Sequence, residues 1–165
     1  MPRPDKSAPL EEQVEAKLRE DLLGRALVPG STSATCPSGI ILKPSTGSPC
    51  DVVYEGVTVP YNVQISDAYS PDQSLVSYTM SPMKALVVAK AVQAELYRDY
   101  GPDSGRPDTS KLACQEMPAV AVYASGSDTG FTCQYWSERA AGGKPGYTTL
   151  KVIADGANFQ FEPVS

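Results

Sequence analysis

Four cysteines, Cys36, Cys50, Cys114 and Cys133, are the residues of this chain with the widest choice of chemistry. They could ligate a metal, supply a nucleophile or crosslink the backbone. Zinc sites of the Cys-x-x-Cys kind draw on close spacings and commonly on histidine. Here the spacings are 14 (36 to 50) and 19 (114 to 133) residues, and the chain has no histidine at all. A four-cysteine metal site would have to gather ligands from two separate regions, and a catalytic cysteine would lack its usual base. An even count, one pair in each half, points to two local disulfides, Cys36–Cys50 and Cys114–Cys133. A bridge closing a loop of this size is worth about 3 kcal/mol in the chain-entropy model. The competing reading is four reduced, buried cysteines in a cytosolic protein.

Other residue patterns invite catalytic readings. Ser81-Pro-Met-Lys84 has the Ser-x-x-Lys spacing of penicillin-recognising nucleophiles, but the chain is short for that fold and has no convincing Ser-Asp-Asn partner. Asp128-Thr129-Gly130 and Asp103-Ser104-Gly105 match the triplet in which two carboxylates share a proton. They follow glycine- and serine-rich stretches rather than apolar strands, and they are good turn sequences. Asp99, Asp103 and Asp108 crowd one loop without the spacing of a calcium-binding loop, so a solvated acidic loop is expected. Gly142-Gly-Lys-Pro-Gly146 lacks phosphate-loop spacing and reads as a hairpin turn. Without histidine there is no Ser-His-Asp triad. The chain is therefore expected not to be an enzyme, with no cofactor and no metal.

The elements that must position these residues fall into two copies of one plan. Leu10, Val14, Leu18 and Leu22 share a helical face over residues 10–23, with Ser7 expected as its cap and Pro9 in its first turn. A Gly/Ser/Thr loop, Cys36 and Cys50 follow, then alternating strands over 52–54 and 61–65, a turn at 67–72 and a strand near 75–79. In the second half Ser81 is expected to cap a helix from Pro82 to Tyr100, stopped by Gly101. A polar loop, Cys114 and strands over 119–123, 131–136, 147–153 and 158–161 complete it. The shared Gly-x-x-Cys appears at Gly47–Cys50 and Gly130–Cys133. These expectations give an α+β fold: a linker over 1–9 and two helix-plus-sheet modules over 10–80 and 81–165, each with one disulfide.

The net charge of −5 argues against a nucleic-acid partner, which requires a basic face, and against anionic membranes. No apolar run approaches the ~20 residues that span a bilayer. The opening Met1–Glu12 is polar and proline-rich, like a stalk. Two expectations follow: a complete cytoplasmic chain, or one restarted beyond a signal or anchor, which the cysteines favour. Nine tyrosines and one tryptophan offer contact area at low entropic cost, and Tyr54, Tyr61, Tyr69, Trp136 and Tyr147 are the candidate binding surface.

Val14–Leu23, Cys36-Pro37, Gly47–Cys50 and Tyr61–Ile65, together with Leu86–Tyr97, Cys114 and Gly130–Cys133, resemble a domain-of-unknown-function family of secreted, lipid-anchored or single-span membrane proteins of actinobacteria. Gln115 stands where the Cys-Pro pattern has proline, and Pro49 precedes the second cysteine. The resemblance implies an extracytoplasmic location and a helix-plus-sheet fold, and it transfers no catalytic residue. The expected role is a non-enzymatic interaction module for a protein or cell-envelope partner. The alternatives are a secreted inhibitor of an extracellular enzyme acting through disulfide-fixed loops, and a small hydrolase using Asp103 and Asp128.

Overall fold

The computed structural model describes residues 3–106, 108–156 and 158–164. Positions 1 and 2 of the N-terminal linker, position 107 of the loop after the second helix, and positions 157 and 165 lie outside it. The chain is α+β and forms two compact units. The first comprises residues up to Arg25 and Pro29–Lys84, the second Ala26–Val28 and residues from Ala85 onward.

The first unit contains α1 (Leu10–Ala26) up to Arg25. Its 3.6-residue period places Val14, Leu18 and Leu22 in the interior with no exposed surface. Ser7 is not the cap. Its hydroxyl donates to Asp5 Oδ1 at 3.0 Å in a preceding turn, and the first intrahelical acceptor is the Pro9 carbonyl, 3.2 Å from the Gln13 amide. After the helix, β1 (Thr32–Thr35), β2 (Gly47–Tyr54), β3 (Val57–Ile65) and β4 (Tyr78–Pro82) form an antiparallel meander in chain order. Glu55 (φ 47°) and Gly56 (φ 81°) both adopt left-handed backbone, as the two-residue β2–β3 turn demands. β2 and β3 alternate strictly. Ser48, Cys50, Val52 and Tyr54 face the interior opposite Val63, Tyr61, Val59 and Val57. The Cys36–Cys50 disulfide ties the end of β1 to β2.

A polar clamp fixes the helix to this sheet. The buried Tyr61 donates its phenolic proton to Asp21 Oδ2 at 2.7 Å. Arg25, one turn along α1, donates to the same carboxylate from Nε at 2.6 Å. Burial, and then the bond to Asp21, push the Tyr61 hydroxyl well above the usual tyrosine range. Burial raises Tyr54, Tyr78 and Tyr123 in the same direction. The sign of the linkage is fixed by these directions. An unfolded tyrosine ionises near pH 10.0, so below that pH both states are neutral and the packing energy is intact. Above it the unfolded chain loses protons first, and stability falls as pH rises toward the folded values. Denaturant midpoints should therefore be level approaching pH 10 and fall beyond it, less steeply in Tyr61→Phe. Midpoints unchanged above pH 10 would contradict the buried phenol.

In the second unit β5 (Ala85–Val88) precedes α2 (Ala89–Tyr100). The helix expected from Pro82 thus starts seven residues later. Ser81 and Pro82 belong to β4, paired with Asn62 and Tyr61. The run Ala85-Leu-Val-Val88 is wholly buried and pairs antiparallel with β7 (Val120–Tyr123). Its β-branched side chains suit that two-sided burial. Because β4 pairs through Pro82, the change of unit falls between Lys84 and Ala85. Gly101 ends α2 as expected; its amide donates to the Tyr97 carbonyl at 2.8 Å, and a side chain there would meet that oxygen.

The second sheet runs β10–β9–β8–β6, from β6 (Thr109–Cys114), β8 (Asp128–Ser137), β9 (Gly146–Ala154) and β10 (Phe159–Pro163). β1 and β6 lie in stretches read as loops, and β4 starts at Tyr78 rather than near Leu75, which is 82% exposed. The Cys114–Cys133 disulfide joins directly opposed residues of β6 and β8. Ala85, Val87, Val92, Leu96, Cys133, Leu150, Val152 and Ala154 make the buried core of this unit. Each unit therefore carries a helix followed by a four-stranded antiparallel sheet; one disulfide joins Cys36, just after β1, to β2 and the other joins β6 to β8, with β7 intervening in the chain. The second unit adds the β5–β7 ribbon.

Candidate functional site

The five aromatic side chains proposed as a surface separate into three groups. Tyr54 and Tyr61 are 1% and 0% exposed and belong to the interior, which corrects their assignment to a binding face. Both have the strand parity of Val52 and Val63, and that parity carried the information. Tyr69 is half-buried in the turn after β3, where its amide donates to the Ser66 carbonyl at 3.2 Å. Trp136 and Tyr147 are brought together as cross-strand partners of β8 and β9.

This pairing follows from the alternation of β8. Cys133, Tyr135 and Ser137 point inward, and Tyr135 stacks on Tyr100 with ring centres 4.3 Å apart. Gln134 and Trp136 consequently point to the outer face. Trp136 meets Tyr147 edge-to-face, with centroids 5.1 Å apart, a geometry favoured by the ring quadrupoles. Tyr147 remains 51% exposed.

A third side chain reaches this pair through an irregularity. The β6–β8 register shifts between Ser110 and Ala113, and Lys111 in that bulge has φ 55°. Left-handed backbone is uncommon outside glycine and costs of order 1 kcal/mol or more. Its consequence is that the Lys111 ammonium lies 4.9 Å from the Trp136 ring centre, within range of a cation–π attraction. Bulges re-aim side chains in this way. No pattern in the sequence announces the bulge. Gln134 and Thr149, the next cross-strand pair, continue the outer face as an amide and a hydroxyl.

The residues weighed for catalysis have the following positions and partners. Asp128 accepts from the Gly130 amide at 2.8 Å and pairs with Lys151 at 3.7 Å, and Gly130 (φ 82°) supplies the left-handed turn of a second bulge. Asp103 lies in a short 3₁₀ turn, Pro102–Ser104, where the Ser104 hydroxyl donates to the Gly101 carbonyl at 2.6 Å. Asp99 pairs with Arg98 at 3.2 Å, and Asp108 accepts from Ser137 Oγ at 2.9 Å. Ser81 is an exposed strand residue rather than a helix-start nucleophile. Gly142–Gly146 connects β8 to β9, as a hairpin reading requires. Among the described residues, no three His, Cys, Asp or Glu side chains converge to hold a metal ion. No described helix is long and apolar enough to cross a membrane.

Compared with protein-family models, curated proteins and solved structures, the chain matches none.

Proposed function

We propose that this chain is a non-enzymatic, extracytoplasmic binding module whose contact surface is the outer face of β8 and β9 around Trp136, Tyr147 and Lys111. The observation that carries the reading is the bulged, left-handed Lys111 laid over Trp136. Backbone strain kept at a point where a cation, a tryptophan and a half-exposed tyrosine meet is typical of a functional surface. Two disulfides suit an oxidising compartment outside the cytoplasm and give each small unit a fixed frame. The shared order of helix, sheet and bridge supports an origin by internal duplication.

The test is capture from the secreted and envelope fraction of the source cell on immobilised protein, with the retained material identified by mass spectrometry. Wild-type protein should retain a saturable species, and Tyr147→Ala should lose it by roughly tenfold or more, as for a central aromatic contact. A ring that is half exposed contributes little to folding, so the variant should melt with the wild type. Equal retention by Tyr147→Ala would remove this face from the binding reading.

A further inference from the structure

The chemistry around the Trp136–Tyr147 pair is selective about its occupant. The protein is acidic overall, with a net charge of −5. The pair departs from that balance. Lys111 sits over Trp136, and the β8–β9 connection that the two rings flank carries Arg139 and Lys144 against Glu138. Asp108, just before β6, accepts from Ser137 Oγ at 2.9 Å, on the inward side of β8. Farther along β9, Lys151 pairs with Asp128 at 3.7 Å and stands opposite Glu162 of β10. Among the described residues, Lys111 at Trp136 and the connection's Arg139 and Lys144 thus outnumber Glu138 in the stretch next to the aromatic pair of an otherwise negative molecule.

The rest of the face is polar rather than apolar. Thr132, Gln134 and Thr149 follow the rings along β8 and β9. Amide and hydroxyl groups of this kind can both donate and accept. They answer a ligand that presents hydroxyls over its whole length, whereas a peptide anchored by apolar side chains would need an apolar cleft. A sugar ring has an apolar C–H face that suits an aromatic ring and a rim of hydroxyls that suits these neighbours. We infer that the face binds an anionic polysaccharide: a sugar ring seated on the half-exposed Tyr147 beside Trp136, its carboxylate, sulfate or phosphate groups directed to Lys111 and the β8–β9 cations. This rests on the proposed binding face and names its ligand class.

Trp136 is the sole tryptophan, so its emission reports the site directly. The folded, oxidised protein would be titrated with oligogalacturonate, dextran sulfate, neutral dextran and polyglutamate. A saturable change with oligogalacturonate or dextran sulfate and none with dextran supports the inference, and the better of the two anionic arms tells carboxylate from sulfate recognition. Raising the salt from 0.01 to 0.15 M shrinks the Debye length from ~30 to ~8 Å, and should weaken the interaction roughly fivefold or more. Lys111→Glu should weaken it similarly while leaving the melting temperature in place, and Tyr147→Ala should abolish it. No response to either anionic polymer, an equal response to dextran, or tighter binding of polyglutamate would overturn the polysaccharide assignment. The binding-face reading fails separately, if Tyr147→Ala retains the captured envelope material as well as the wild type.

Discussion

Replacing Cys114 and Cys133 together by serine should destabilise the second unit by about 3 kcal/mol. The bridge spans a sequence separation of 19 residues, and opening it returns that loop's conformational freedom to the unfolded chain. A second cost adds to the first, because Cys133 is 1% exposed and a serine hydroxyl placed there needs a partner, at about 1–3 kcal/mol if it finds none. A unit of about 80 residues sits near the low end of the ~5–15 kcal/mol range of folding stabilities. The double variant should therefore be partly unfolded at 37 °C. Trp136 is three residues from Cys133 on β8, and its emission reads this loss in a denaturant titration. A denaturant midpoint unchanged from the oxidised wild type would show that the bridge is incidental. The expected result ties compartment to fold, since a chain that depends on this staple persists only where thiols are oxidised.

The disulfides were legible because an even number of cysteines, absent histidine and local spacing leave few other roles. α1 and the β2–β3 pair were legible because Val14, Leu18 and Leu22 keep helical spacing and Val59, Tyr61, Val63 and Ile65 keep strand spacing. The start of α2 was not. Ser81-Pro82 is a good helix opening, and the buried run Ala85–Val88 looks the same in a buried helix as in a buried strand. What decides is pairing with Val120–Tyr123, a partner remote in sequence. β1 and β6 are edge strands of their sheets; Thr32-Ser-Ala-Thr35 has no apolar period, and its structure comes from the ladder to β2. Of the candidate surface, the outward parity of Trp136 could be read from Cys133 in the same strand. The approach of Lys111 could not, because a bulge inverts the parity on which such reading depends.

Tyr61→Ala should destabilise the first unit by about 3–5 kcal/mol, the usual cost of deleting a buried aromatic side chain. Tyr61 has no exposed surface, and its ring lies on the inner face of β3 in register with Cys50. Tyr61→Phe divides this effect. The ring remains, and only the hydroxyl bond to Asp21 at 2.7 Å is lost. Asp21 keeps Arg25 as a partner at 2.6 Å, so no carboxylate is stranded, and the loss should be about 1.5–3 kcal/mol, as for a hydrogen bond to a charged group. Asp21→Ala should cost at least as much as Tyr61→Phe, since it leaves the buried phenol and the Arg25 guanidinium without that carboxylate. The comparison with Tyr147→Ala then separates the two kinds of tyrosine. At 51% exposure Tyr147 contributes little to the interior, and its removal should change stability by no more than about 0.5 kcal/mol. If instead Tyr61→Ala melted with the wild type and Tyr147→Ala did not, the inward and outward faces assigned to these strands would be exchanged. A one-residue slip of register exchanges the faces within one sheet, so the two results would require a slip in each sheet, and the slip in β8 and β9 would carry the binding surface with it.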